Sequence, residues 1–162
     1  MSAELTTYAQ ELRWILDQIS RTVDGLTEQQ LNGRPSTGTA ISAYAIVCHV
    51  VRCTRVYALG FGCGHAVTRD RSAEFAASGS SAQDLVTALR QLADEITTAL
   101  ATLAPATLDG RLRPAQELWG TGQVREISRR EALVESIRHA ALHLGELRLT
   151  HDLARQHVLA HT

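Results

Sequence analysis

The spacing of apolar residues constrains the fold of this chain more than any other feature. Apolar side chains recur every three or four residues in four long stretches, which is the periodicity of helices that bury one face. The strict alternation that would indicate strands is almost absent. The sequence therefore predicts an all-α protein.

The four stretches predict four long helices separated by segments rich in glycine, proline and serine. Ser80 or Ser81 can cap the third helix, and Asp84 lies in its first turn. The predicted helices cover, in chain order, about residues 3 to 25, 41 to 59, 82 to 104 and 128 to 156. Four long amphipathic helices without an internal repeat favour a four-helix bundle.

The connection between the third and fourth helices, about residues 104 to 127, is too long for a simple bundle turn. Long loops of this kind are often functional or cover a site. Trp119 lies within it. This side chain either packs over a pocket or a neighbouring subunit, or anchors its own loop.

Composition limits the classes of protein that the chain can belong to. Its 162 residues, of which 44% are hydrophobic, suit a single globular domain spanning 1–162. The 16 basic and 17 acidic residues form no long run of one sign, which argues against a nucleic-acid or membrane-surface partner. The N-terminal segment MSAELTTYAQELRW is unlike a signal peptide, and no apolar run is as long as a membrane span. We therefore expect a cytoplasmic protein that binds small molecules or other protein chains.

Two histidines lie four residues apart in the last predicted helix, within the segment SIRHAALHLGELRL. His139 and His143 share one helical face, at the spacing that lets two imidazoles bind one metal ion. That face borders the apolar stripe, so it can look into a cleft between helices. His157 and His161 have the same spacing near the C-terminus, where we expect solvated side chains.

A third histidine, His49, falls on the apolar face of the second predicted helix. A buried histidine needs a partner for each ring nitrogen. His49 is therefore either bonded to a backbone carbonyl or a buried carboxylate, or it is a third metal ligand beside His139 and His143. Three neutral imidazoles leave an open coordination position, which is typical of a catalytic metal site.

Two further residues lie at positions from which they could contact such a metal site. Cys53 is one turn from His49 on the same face, so it is either a thiolate ligand or a small packing residue. Cys48 and Cys63 are the other cysteines, and three clustered cysteines indicate reduced thiols rather than disulfides. Glu146 follows His143 by three residues and either hydrogen-bonds its imidazole or pairs with an arginine in solvent.

The segment HAALHLGEL, from His139 to Leu147, resembles the motif H-x-x-x-H-x-G-[EQ]-[LI] of the DinB family of metal-binding four-helix bundles. His49 stands some ninety residues earlier, in the middle of the second helix, where the family also has a histidine. The segment LNGRPSTGTAIS, residues 31 to 42, resembles the family's loop before that helix. The resemblance thus extends over almost the whole chain.

Membership of this family would imply a divalent metal, zinc or nickel, bound by His49, His139 and His143, and a homodimer. For relatives with a known activity, it also implies transfer or isomerisation that depends on a low-molecular-weight thiol such as bacillithiol or mycothiol. A metal-bound thiol is deprotonated outright, so it becomes a nucleophile at neutral pH. The resemblance therefore predicts an enzyme that transfers such a thiol to a small electrophile.

Two other functions remain open from the sequence. The chain could be a non-catalytic bundle that dimerises and binds a metal only for stability, or a hydrolase whose open metal position binds hydroxide. Substrate contacts are equally open, because several loop arginines could reach the site. These are Arg34, Arg111, Arg113 and Arg125.

Overall fold

The structure is a computed structural model that describes the backbone of residues 1–34 and 40–159, and side chains up to residue 154. Over these residues the protein is mostly helical, which confirms the all-α prediction. The elements are, in chain order, α1 (Ala3–Val23), α2 (Glu28–Asn32), α3 (Ala43–Thr54), a π-helical segment (Arg55–Gly62), α4 (Arg71–Phe75), α5 (Ala82–Thr102), a 3-10 turn (Pro105–Thr107), β1 (Arg111–Leu112), β2 (Ile127–Ser128) and α6 (Arg129–Leu159).

The four long predicted helices correspond to α1, α3 with its π-helical continuation, α5 and α6. The Ser81 hydroxyl caps α5 by accepting a hydrogen bond from the backbone N–H of Asp84. Of the two predicted caps, Ser80 and Ser81, the second is therefore the one formed. The second predicted helix differs at its end, because the chain widens into π-helical turns instead of stopping at residue 59. Gly62 lies there so close to α6 that a Cβ atom would come within 2.7 Å of Leu133 Cδ2.

The sequence pattern did not reveal the short elements, which are too brief to show a period. α2 begins with a capping box between Thr27 and Gln30. Asp70 caps the N-terminus of α4, because its carboxylate accepts a hydrogen bond from the backbone N–H of Ala73. β1 and β2 pair antiparallel, with Arg111 opposite Ser128. This pairing ties together the two ends of the long connection before α6.

The packing of helices sets where a site can form. α1 packs against α5 and α6, and α3 packs against α6 and α4. Buried apolar residues from the four long helices make one large core. A smaller apolar cluster forms beside the π-helical segment, around Val56, Phe61 and Ile127, with Trp119 packed on it. Among the described residues, no helix is both long and apolar enough to cross a membrane.

Candidate metal centre

The three histidines singled out from the sequence come together where α3 faces α6. The ring centroids of His49 and His139 are 5.0 Å apart, and those of His49 and His143 are 4.8 Å apart. His139 and His143, one turn apart on α6, have centroids separated by 4.5 Å. The face of α6 that borders its apolar stripe thus faces a cleft. His49, a buried residue of α3, points into the same cleft.

His49 is held in one orientation by a buried carboxylate. Its Nδ1 lies 2.8 Å from Glu74 Oε2, and because a carboxylate only accepts, Nδ1 carries the proton. The lone pair of Nε2 then faces the cluster, 3.2 Å from His139 Nε2. The alternative of a buried carboxylate partner for His49 is thus observed, and its second ring nitrogen is directed at His139, the predicted co-ligand.

Glu74 is itself fixed by Arg69, and neither side chain is exposed to solvent. Arg69 donates from Nε to Oε1 at 2.7 Å and from a terminal nitrogen to Oε2 at 2.8 Å, which is a bidentate pair. Burial acts to raise the pKa of Glu74, but hydrogen bonds from His49 and Arg69 outweigh it and lower the pKa to about 2. Glu74 is therefore a carboxylate at neutral pH.

Sequence reasoning missed both Glu74 and Arg69. They belong to the segment RDRSAEF, which shows no apolar period. The one feature of the sequence that could have indicated them is Asp70, a residue that favours the start of a helix. The short helix that follows it places Glu74 on its buried side. Nothing in the segment itself indicated that this turn packs on α3 beside His49.

One of the two histidines on α6, His143, is supported in a similar way. His143 Nδ1 lies 2.6 Å from Glu146 Oε2, so of the two alternatives for Glu146 the hydrogen bond to the imidazole is the one formed. Nδ1 of His139 is buried and has no hydrogen-bond partner among the described residues. His139 Nε2 also lies 3.6 Å from Cys53 Sγ, so Cys53 belongs to the same cluster.

The imidazoles of His139 and His143 are neutral at physiological pH, which is the form that binds metals. Burial lowers the pKa of His139 to about 3, and the neighbouring His143 and His49 add to the effect. Burial also lowers the pKa of His143, although Glu146 opposes the shift. Metal binding near pH 7 would therefore not need to displace protons from these two residues.

The geometry fits a tetrahedral metal ion. With zinc–nitrogen bonds of 2.0–2.1 Å, tetrahedral angles separate two ligand nitrogens by roughly 3.3 Å, close to the 3.2 Å between His49 Nε2 and His139 Nε2. The ligand atoms of His49, Cys53 and His139 all lie within 4.8 Å of one another. His143, the third predicted ligand, is not part of this group, although its ring packs against the rings of His49 and His139. Imidazole and thiolate donors suit borderline metals such as zinc or nickel.

The cluster forms the floor of a pocket with a volume of about 510 Å³. Aromatic side chains form part of the wall: Phe75 stacks on His49 with centroids 4.8 Å apart, and Trp119 lies 6.2 Å from Tyr57. Trp119 therefore both lines the pocket and anchors its loop. Charged side chains complete the wall, namely Arg69, Arg71, Arg125, Arg138, Glu131 and Glu135.

Of the four loop arginines considered from the sequence, only Arg125 is among the residues that line this pocket. Arg111 instead donates a hydrogen bond to Glu126 at 2.8 Å. His161 and the side chain of His157 lie outside the described residues, as does the part of the DinB-like loop between residues 35 and 39.

A comparison with protein-family models matches residues 7–156 to the family described as Mycothiol-S-transferase. This family is DinB-like, so the match confirms the resemblance seen in the sequence. A search of curated proteins found no match to this chain.

Proposed function

Because the chain belongs to the Mycothiol-S-transferase family, we propose that it is a metal-dependent enzyme that transfers a low-molecular-weight thiol to a small electrophile. The thiol would be of the mycothiol or bacillithiol kind, and the metal zinc or nickel. His49, His139 and His143 would hold that metal. The observation that carries the proposal is the meeting of three imidazoles from two helices on the floor of one pocket.

A bound divalent metal would supply the deprotonation of the thiol at neutral pH. The chain's own residues supply position. Glu74 keeps the Nδ1 proton on His49, and Glu146 does the same for His143, so each ring presents Nε2. Because α3 and α6 pack against each other, the proposed ligands lie on rigid helices rather than on loops.

The walls of the pocket would receive the two substrates. Phe75, Tyr57 and Trp119 offer apolar surface for the electrophile and exclude water from the reacting sulfur. At the rim, Arg125 lies 3.4 Å from Glu131, and Arg138 donates to Glu135 at 2.9 Å. Such exposed ion pairs are weak, so their polar groups are available to the hydroxyl and amide groups of a sugar-linked thiol.

We further propose that α1, α3, α5 and α6 form the four-helix bundle of the DinB type, and that the protein acts in the cytoplasm as a homodimer. The packing of α1 on α5 and α6, and of α3 on α6, supports the bundle. Three exposed apolar side chains on α6, Val134, Leu142 and Leu149, support a second copy as the partner.

The test compares tag-free protein with His49→Ala and with a matched control, His65→Ala. His65 is exposed and does not line the pocket. We expect about one divalent metal ion per chain in the parent and the control, and none in His49→Ala. The same preparations are then given mycothiol, bacillithiol or cysteine together with chlorodinitrobenzene, and the thioether product is measured by mass spectrometry.

Three results would contradict the proposal in different ways. Metal in the parent without any thioether formation above the uncatalysed rate would favour a non-catalytic metal-binding protein. Metal-dependent cleavage of esters or amides that is indifferent to added thiol would favour a hydrolase. Equal metal content in the parent and His49→Ala would mean that the metal is bound elsewhere.

A further inference from the structure

We propose that Cys53 is a fourth protein ligand, so that the centre consists of three histidines and one thiolate. The inference rests on the proposed metal site, since it concerns the same ion. It goes further because a three-histidine site would leave the cosubstrate sulfur an open position, whereas Cys53 would occupy that position in the resting protein.

The first support is the position of Cys53. It is buried one turn after His49 on α3, and its side chain lines the floor of the pocket. Zinc–nitrogen and zinc–sulfur bonds of about 2.0–2.1 and 2.3 Å at tetrahedral angles separate the two ligand atoms by roughly 3.6 Å. Cys53 Sγ lies 3.6 Å from His139 Nε2. Cys53 Sγ is thus at ligand distance from the His139 nitrogen, and the ligand atoms of His49, Cys53 and His139 lie within 4.8 Å of one another. His143 is not in that group, so its imidazole would move closer when all four residues bind one ion.

The second support is an unsatisfied donor on Arg69. This side chain is fully buried and lines the pocket. Two of its nitrogens donate to Glu74, but the remaining terminal nitrogen, Nη1, has no acceptor among the described residues. Cys53 lines the same pocket, and a metal-bound thiolate there would be a stronger acceptor for this donor than a thiol.

The other two cysteines do not share these features. Cys48 and Cys63 pack against the large apolar core and do not line the pocket. They are therefore matched controls for any effect of removing a sulfur atom from this chain.

The proposal has a consequence for the cosubstrate. With four protein ligands, an incoming thiol can bind only by expanding the coordination to five, as catalytic zinc sites sometimes do. The Cys53 thiolate would also offset one of the two positive charges of the ion, so that more electron density remains on the bound cosubstrate sulfur. Cys53 would therefore weaken thiol binding while favouring thiolate reactivity.

The experiment is to load the full-length parent, Cys53→Ala, Cys53→Ser and Cys48→Ala with cobalt(II) and record near-ultraviolet and visible absorption. A phosphine reductant is used, because an added thiol would itself coordinate cobalt. We expect an intense sulfur-to-cobalt charge-transfer band in the parent and in Cys48→Ala. We expect its complete loss in both Cys53 variants, with the weaker visible bands of histidine-bound cobalt retained.

The outcomes separate this inference from the proposed function. Visible cobalt bands in the parent without a charge-transfer band would overturn the role of Cys53 and leave the histidine site intact. A charge-transfer band that persists in folded Cys53→Ser would also overturn it. Failure of the parent to bind cobalt, nickel or zinc would overturn both proposals together. The serine variant preserves side-chain size, and far-ultraviolet circular dichroism establishes that each variant is folded.

Discussion

The orientation of His49 depends on a single carboxylate that is not itself one of the proposed metal ligands. Glu74→Gln should weaken zinc binding by roughly 10–100-fold, because partners of ligand imidazoles typically contribute that much. It should also lower the unfolding free energy by about 3–5 kcal/mol, since Arg69 would be left as an unpaired buried charge. Isothermal titration with zinc and urea denaturation of the metal-free protein measure the two effects.

Glu135→Gln is the matched control, because Glu135 lines the same pocket but pairs with the exposed Arg138. Its stability should change by less than about 1 kcal/mol, as exposed ion pairs contribute little. Equal zinc affinity in Glu74→Gln and the parent would show that Glu74 stabilises the fold without orienting His49.

Single residues were predictable where a helix carries its own periodic signal. His139 and His143 were found because four-residue spacing places them on one face, and His49 because a histidine on an apolar face needs partners. Glu74 was not predictable, because it comes from another element 25 residues away in the chain. Which partner Glu146 takes was equally undetermined, since exposed glutamates pair with arginines as readily as with histidines.

Among the structural elements, the connection between β1 and β2 has the clearest functional consequence, because it carries Trp119 to the pocket. Trp119→Ala should lower kcat/KM for thiol transfer by roughly 10–100-fold, since burying a large apolar side chain against a substrate contributes on the order of 1.5–3 kcal/mol. Metal content should be unchanged, because the ligands lie on α3 and α6. Steady-state kinetics and elemental analysis test both statements.

The chain has two tryptophans, which supplies the control. Trp14 is 55% exposed on α1 and does not line the pocket, so Trp14→Ala should leave the kinetics as in the parent. Trp14→Phe leaves Trp119 as the sole indole fluorophore, and its emission should shift when thiol or electrophile binds. An unchanged emission spectrum at saturating substrate would contradict a role for Trp119 in the pocket wall.

The long elements followed from the sequence, and the short ones did not. α1, α5 and α6 have enough turns for an apolar stripe to specify them, and serine caps begin α1 and α5. The π-helical continuation of α3 was not predictable, because its packing depends on the contact of Gly62 with Leu133 from α6. β1 and β2 have two residues each, which is too few for an alternation of apolar and polar residues to be recognised in the sequence.

For the whole molecule, the proposed homodimer predicts a mass twice that of the 17.6 kDa chain in light scattering coupled to size-exclusion chromatography. Leu142 and Leu149 are 61% and 63% exposed, and their seven-residue spacing puts them on one face of α6. Leu149→Glu should therefore yield a monomer, because it would bury a charge without a partner in the interface.

Trp14→Glu is the control for the dimer, since it alters an exposed apolar residue on a different helix. If Trp14→Glu dissociates the dimer and Leu149→Glu does not, the interface lies on the α1 side. A parent that elutes with the mass of one chain would show that the homodimer prediction is wrong.

The pocket is formed partly by packed helices and partly by a loop, and this difference determines which positions can be re-engineered. Its floor belongs to packed helices, where a substitution disturbs ligands and core together. Much of its roof, including Trp119, Gly120 and Thr121, belongs to a loop whose ends are fastened by β1 and β2. A mutagenesis library confined to those loop positions would thus vary which electrophiles the proposed transferase accepts, while the proposed metal ligands on α3 and α6 stay unchanged.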